Sequence, residues 1–334
     1  MKNIRGKLKS LMALALSFTI LSGTVAASAE TLEPRELGED TILSDDFEKL
    51  KEEAALTPQT ASAEDEIECY GAAPAIGVIL NVGGAVSYND YSTRDYSLSD
   101  GTKAFCLEPS SKSPAAGAYT ASRSNDQLMN AVMYYGYGGP GYKTEGKGMY
   151  YLLDEAIRPY AYVLTHMALS YVYDGCSDSS DAFTGTNEGT KNGLKNIISF
   201  IDTYKWEVPS RYHAYTFSTG EGNQAMGFGY YEPEGYAKLK KSSANTTITD
   251  DNACYSLEGA SYGVYSDEGC TSEVATLTTD ANGDSNTVSL YPGTYWAKEK
   301  SAPTGYAVDD TVYSITVKDG ETTTFENEEW EISI

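Results

Sequence analysis

The stretch Leu290-Tyr291-Pro292-Gly293-Thr294-Tyr295-Trp296-Ala297-Lys298-Glu299, followed by Ala302-Pro303-Thr304-Gly305-Tyr306, decides the fold of the C-terminal part of the chain. Pro292-Gly293 punctuates the chain as a turn. The residues after it alternate, so Tyr295, Ala297 and Glu299 share one face of a strand. Working outward, 260–265, 287–290, 294–298, 311–317 and 322–327 are further short alternating runs, and Asn282-Gly283 and Asp319-Gly320 separate some of them. Strands of this length at this spacing predict an all-β, immunoglobulin-like sandwich over 236–334.

The same alternation puts three polar side chains on apolar faces. Lys241 lies with Leu239, Glu299 with Tyr295 and Ala297, and Asn327 with Phe325. Burying any one of them alone costs several kcal/mol. Together they make a reaction. A lysine amine in an apolar core tends toward its neutral, nucleophilic form, and a carboxyl there tends to hold its proton. Lys241 is then expected to attack the Asn327 carboxamide carbon while Glu299 shuttles protons. Ammonia leaves, and an amide ties the first strand to the last. The bland alternative is that all three sit at strand ends in water.

Upstream the composition changes. Residues 1–29 read as a secretory signal: Lys2, Arg5, Lys7 and Lys9, then a short apolar stretch, then Ala27-Ser28-Ala29. The apolar run is short for a membrane span, which needs about 20 residues. Residues 30–66 are acidic and without periodicity, and are expected to be a disordered spacer. From Cys69 tyrosines and Gly-rich turns become dense. In 67–235, residues 76–87 read as a strand pair around Gly83-Gly84. Residues 126–135 read as a helix stopped by Gly136, and 190–204 as another. Thr165 is a candidate N-cap for a helix starting at His166, and 212–217 and 224–231 read as strands. This domain is therefore expected to be mixed α+β.

The chain has 334 residues and a net charge of -24, with 48 Asp and Glu against 24 Lys and Arg. Such acidity argues against nucleic acid and anionic membrane as partners. No phosphate loop, zinc-type Cys/His spacing or EF-hand loop is present, so neither a cofactor nor a metal is expected. Five cysteines leave one thiol over in an exported protein. Cys254 and Cys270 are expected to pair with each other, and Cys69 with Cys176, leaving Cys106 free.

The C-terminal motifs resemble the collagen-adhesin B-type (SpaA-like, prealbumin-like) repeat domains of Gram-positive surface proteins. Leu257–Tyr265, Thr278-Thr279-Asp280-Ala281-Asn282-Gly283 and the Leu290–Tyr306 stretch carry the resemblance. It implies that Glu299 is the catalytic acid of an isopeptide bond between Lys241 (with Lys240 one residue away) and Asn327. In the first domain, Ala104-Phe105-Cys106-Leu107-Glu108-Pro109 and Thr165-His166-Met167-Ala168-Leu169-Ser170-Tyr171-Val172-Tyr173-Asp174-Gly175 resemble the two motifs of the thioester domains of Gram-positive adhesins. There the second motif begins Thr-Gln, and the glutamine carboxamide condenses with the cysteine thiol. Here His166 follows Thr165. An imidazole has no acyl carbon, so that thioester cannot form at this pair. Gln224 is a remote substitute donor. A histidine beside Cys106 could instead activate the thiol, with Asp174 too far along a helix to orient it. His213, between tyrosines in a strand, reads as structural.

These readings imply a two-domain secreted or cell-surface protein of a Gram-positive-type bacterium. An N-terminal adhesive tip sits on an isopeptide-locked stalk and meets a host or neighbouring-cell surface protein or glycan. It is expected to have no turnover activity beyond autocatalytic crosslinking and no membrane insertion once the signal is cleaved. The alternatives are a cysteine-dependent acyl transferase or peptidase using Cys106 and His166, and a pilin-like subunit. The second is set lower because no LPxTG-like sorting motif follows the last strand. Further stalk domains of a longer chain are also compatible with this ending.

Overall fold

The computed structural model describes residues 41–56, 73 and 75–329. The expected signal at 1–29 and Cys69 lie outside the described residues. The spacer expected over 30–66 is corrected within 41–56. There α1 (Phe47–Leu56) forms, with Phe47 and Ala54 buried. Ile42 is fully buried, and the Phe47 ring meets that of Phe200 at 5.7 Å. Acidity hid two apolar anchors, and burying them repays the ordering of this stretch.

The first domain is a closed six-stranded barrel flanked by helices. Its strands are β1 (Ile76–Tyr88), β2 (Tyr91–Leu98), β3 (Lys103–Cys106), β4 (Gly117–Arg123), β5 (Tyr212–Ser218) and β6 (Ala225–Tyr231), closed in the order β1-β2-β3-β6-β5-β4. Side chains fill the interior, as a small barrel requires: Leu80, Tyr96, Cys106, Tyr215, Met226 and Phe228 belong to its core. Gly83-Gly84 is not a hairpin turn. It lies within the continuous β1, where the register against β2 slips between Val82 and Ala85, so the glycines mark an irregularity within one strand.

Between β4 and β5 the chain builds α2 (Gln127–Tyr135), a short α3 (Met149–Leu152), α4 (Ala161–Tyr173) and α5 (Glu188–Thr203). Asp126 caps α2 by accepting from the Met129 N–H at 3.0 Å, and Asn187 caps α5 through the Thr190 N–H at 2.7 Å. Residues 161–172 of α4 are all buried, which is what a helix apolar on every face predicts. Thr165 is therefore not an N-cap. It sits inside the helix, accepting from the Tyr137 N–H at 2.9 Å. The apolar residues before it extend the helix upstream to Ala161.

Three residues after β6 the second domain begins with β7 (Gly235–Ser243). A short α6 (Thr246–Thr249) follows, then β8 (Ser261–Tyr265), β9 (Glu273–Thr278), β10 (Val288–Leu290), β11 (Gly293–Ser301), β12 (Val312–Val317) and β13 (Thr322–Glu329). The strands form two sheets, β10-β7-β13 and β12-β11-β8-β9. Leu239, Tyr262, Val264, Leu277, Ala297 and Ile315 pack between them. The first and last strands of this domain, β7 and β13, run parallel side by side, with Asn327 directly opposite Lys241. Among the described residues no helix is long and apolar enough to cross a membrane.

Phe47→Ala should destabilise the first domain by about 3 kcal/mol, the usual cost of emptying a buried aromatic site. Denaturant unfolding followed by near-UV circular dichroism reads the shift, and an unchanged midpoint would mean that α1 is not part of the folded domain.

Candidate functional site

The sandwich gathers its three polar side chains into one buried cluster. Lys241, Glu299 and Asn327 are 0%, 3% and 2% exposed. Each lies where its strand's alternation points inward, beside Leu239 on β7, Ala297 on β11 and Phe325 on β13. The Lys241 Nζ donates to Glu299 Oε1 at 2.8 Å, to Asn327 Oδ1 at 2.9 Å and to the Tyr262 hydroxyl at 2.9 Å. It also lies over the Tyr262 ring, 4.8 Å from its centroid. The bland strand-end alternative fails here, because none of the three reaches water.

Lys240, the one-residue alternative, points the other way. Its amine pairs with Asp284 at 2.9 Å near the surface. A one-residue step along a strand exchanges faces, so only Lys241 reaches the cluster.

Two residues not foreseen from sequence complete the site. Asp309 and Tyr313 bind the other end of the Asn327 carboxamide: Nδ2 donates to Asp309 Oδ2 at 2.9 Å and to the Tyr313 oxygen at 2.7 Å. Tyr313 in turn donates to Asp309 Oδ2 at 2.6 Å. The Asp309 N–H donates to Glu299 Oε2 at 2.6 Å. Burial pushes the Asp309 carboxyl up, but hydrogen bonds from Thr311 and Tyr313 and the Lys241 charge outweigh it and hold the group below its usual range. Asp309 lies in the loop before β12, where no alternation assigns it a face.

In the first domain Cys106 and His166 are both withdrawn from water. Cys106 is fully buried and opposite Met226 across the β3–β6 pair. Its carbonyl accepts from Ser170 Oγ of α4 at 3.0 Å. Burial pushes its thiol up to about 12, an amide from Glu108 offsetting part and the Glu108 carboxylate adding to the rise. His166 is fully buried among the rings of Tyr91, Tyr96, Phe105 and Tyr162, 6.0–6.3 Å away by centroid. Its Nε2 meets Thr93 Oγ1 at 3.3 Å, while Nδ1 has no hydrogen-bond partner among the described residues. Burial lowers its pKa to about 3. No hydrogen bond joins it to the Cys106 thiol among the described residues. A thiol driven up and an imidazole driven down are the reverse of a thiolate–imidazolium pair.

Gln224 is buried just before β6. Its Nε2 donates to the Pro109 carbonyl at 3.4 Å, and Oε1 has no hydrogen-bond partner among the described residues. No hydrogen bond links it to the Cys106 sulfur among the described residues. His213 lies on β5, with Nε2 3.6 Å from Glu232 Oε2 and Nδ1 3.4 Å from Asn130 Nδ2. That is a structural role at the domain junction.

The expected Cys254–Cys270 disulfide is corrected: both are free thiols. Cys254 precedes β8 and Cys270 follows it, so a strand roughly 16 Å long lies between them. Cys176 sits exposed after α4, and its expected partner Cys69 is outside the described residues.

Residues 77–209 match the family model described as Thioester domain, and residues 242–329 match SpaA, described as Prealbumin-like fold domain. The two matches cover separate parts of the chain, the first lying in the barrel domain and the second in the sandwich. Among solved structures it is similar to the Bacillus anthracis TIE protein, at 15% identity over 77% of this chain and 66% of that one, with a TM-score of 0.33. It is also similar to the pilus-presented adhesin Spy0125 (Cpa), at 13% identity over 77% of this chain and 79% of that one, with a TM-score of 0.29. GBS52, a minor pilin of Streptococcus agalactiae, is 17% identical over 37% of this chain and 61% of that one, with a TM-score of 0.24. The chain thus spans just under two thirds of the TIE protein and of GBS52. No curated protein matches it.

In the folded protein at pH 8, iodoacetamide should label Cys176 and Cys254 readily and leave Cys106 unmodified. Below its raised pKa the Cys106 thiol stays protonated, so native labelling should rise only at strongly alkaline pH. Peptide mapping reads this directly. Fast modification of Cys106 at neutral pH would restore the reactive-pair hypothesis.

Proposed function

We propose that the chain is a surface adhesin of a Gram-positive-type bacterium, in which an N-terminal binding domain rides on a stalk module that crosslinks itself. The observation that carries this reading is the Lys241 amine held within 2.9 Å of both Asn327 Oδ1 and Glu299 Oε1 in a site closed to water. The two matched families and the leader-like residues 1–29 support it.

The chemistry follows from the contacts. The amine attacks only after giving up a proton, and Glu299 Oε1 is the carboxylate in reach. A bond forms between Nζ and the Asn327 carboxamide carbon, and the bond from that carbon to Nδ2 breaks. Nζ sheds two protons in all as the amide forms, and Glu299 relays both to the departing nitrogen, which leaves as ammonium. The hydrogen bonds to the carboxamide hold the reacting atoms in place beforehand, which lowers the entropic part of the barrier.

The mechanical consequence comes from the topology. Lys241 lies on the first strand of the sandwich and Asn327 on the last, 86 residues later. A covalent bond there carries tension straight from β7 to β13 and shields everything between. By analogy with other crosslinks, closing a loop of that size in the unfolded chain adds roughly 4–5 kcal/mol.

The tip acts without the cysteine harpoon in this reading, since His166 cannot donate an acyl group. Tyr137, Tyr142, Tyr230 and Tyr231 line an open cavity of about 660 Å³ together with Lys103 and Lys143, and no lining residue is acidic. In so acidic a chain this is a distinctive face. Tyrosine rings offer flat apolar surface with a polar edge, suited to sugars or to a partner's surface.

The intact mass of the purified protein should fall short of the sequence mass (less any removed leader) by about 17 Da, one ammonia per isopeptide bond. Lys241→Ala should abolish the deficit and lower the sandwich's melting temperature. A full sequence mass in the unsubstituted protein refutes the crosslink. For the tip, Tyr142→Ala and Tyr231→Ala should each reduce adhesion to a glycan-coated surface about tenfold; unaltered adhesion would move the binding face elsewhere.

A further inference from the structure

The Asn327 carboxamide is held at both ends, and the two ends differ. Its oxygen receives a proton donor, the Lys241 amine at 2.9 Å. Its nitrogen faces two acceptors, Asp309 Oδ2 at 2.9 Å and the Tyr313 oxygen at 2.7 Å. A tyrosine hydroxyl could donate as well as accept. Here its proton is committed to Asp309 Oδ2 at 2.6 Å, so toward Asn327 it can only accept. The Asp309 carboxylate therefore fixes the polarity of the whole pocket. Asp309 is itself held by the Thr311 N–H on Oδ1 at 2.9 Å and by its own N–H on Glu299 Oε2 at 2.6 Å.

We propose that Asp309, acting directly and through Tyr313, orients the Asn327 carboxamide for attack and makes the crosslink site accept an amide and reject a carboxylate. This rests on the isopeptide reading given above. A flipped carboxamide would present its NH₂ to the Lys241 amine, donor against donor, and turn its oxygen onto the Asp309 carboxylate. Both contacts are repulsive, so one orientation remains. A carboxylate at position 327 would set a second anion against Asp309 in a buried site, which like charges strongly disfavour.

Asp309 also stands where the leaving group emerges. The bond from the Asn327 carbon to Nδ2 breaks as the bond to Lys241 Nζ forms. Glu299 carries one Nζ proton to the departing nitrogen. The ammonia takes up the further proton that the Lys241 ammonium first gave to Glu299, and leaves as ammonium alongside the Asp309 carboxylate. Glu299 ends as it began, and no outside reagent is needed.

The test follows bond formation in freshly synthesised protein by intact mass over time. The unsubstituted chain sets the reference: absence of its deficit of about 17 Da removes the crosslink itself, and this inference with it. Given that deficit, Asp309→Asn should form the bond at least about tenfold more slowly, the scale expected when a reacting group loses its orientation. Tyr313→Phe should slow it less. Asn327→Asp should fail to crosslink in the unsubstituted background. Combined with Asp309→Asn it should regain crosslinking, now with loss of about 18 Da as water leaves instead of ammonia. That rescue separates orientation and charge from a merely structural role, which a second substitution would only worsen. Comparing Lys241→Ala with Lys241→Ala/Asp309→Asn by thermal unfolding reports the cost of the substitution to folding where no bond can form. Asp309→Asn crosslinking at the unsubstituted rate, or Asn327→Asp reacting freely beside Asp309, overturns the proposal while leaving the isopeptide bond standing. Failure of rescue in a double variant that still folds overturns it as well.

Discussion

An amine fully withdrawn from water must be surrounded by acceptors, and this demand organises the second domain. Lys241 satisfies it with Glu299, Asn327 and Tyr262, drawn from β11, β13 and β8. The cluster draws on both sheets of the sandwich, so it can assemble only when the sheets close. The parallel pairing of β7 with β13 supplies the register that sets Asn327 opposite Lys241. A slip of one residue would turn the asparagine to the other face and leave the lysine's charge uncompensated. The polar cluster thus acts as a register lock before any covalent chemistry occurs.

The connection between the domains is built on a second buried carboxylate. Glu232, in the three-residue link between β6 and β7, is 2% exposed. Tyr215 of the barrel donates to its Oε1 at 2.7 Å, Tyr291 of the sandwich donates to Oε2, and Arg123 pairs with it at 3.4 Å. Arg211 holds the Glu232 carbonyl at 2.8 Å. A short link whose side chain is bonded from both domains leaves little freedom for a hinge. The same Leu290–Tyr295 turn that marks the sandwich in sequence supplies Tyr291 to this junction.

Cys106 and His166 both lie in the region matched by the thioester-domain model, and α4 packs against β3 through Ser170. The imidazole of His166 is buried among aromatic rings. The dense tyrosines of this domain build its core and also line the open cavity beside β6. In both places the ring packs while the hydroxyl finds a polar partner or water.

The sequence alone determined the mixed α and β character of the first domain, the all-β character of the second and the faces of Lys241, Glu299 and Asn327. These follow from period-two alternation and turn residues, which are local properties. It also showed that His166 has no acyl carbon, because that is covalent chemistry. Tertiary structure decided the rest. It ordered 41–56, because Ile42 and Phe47 find apolar partners far along the chain. It left Cys254 and Cys270 as free thiols and turned Gly83-Gly84 into an irregularity within one strand. It brought Asp309 and Tyr313 onto Asn327 and drove the Cys106 and His166 pKa values in opposite directions. Each depends on which distant segments exclude water from a given atom, and burial is a property of the packed whole that no local pattern encodes.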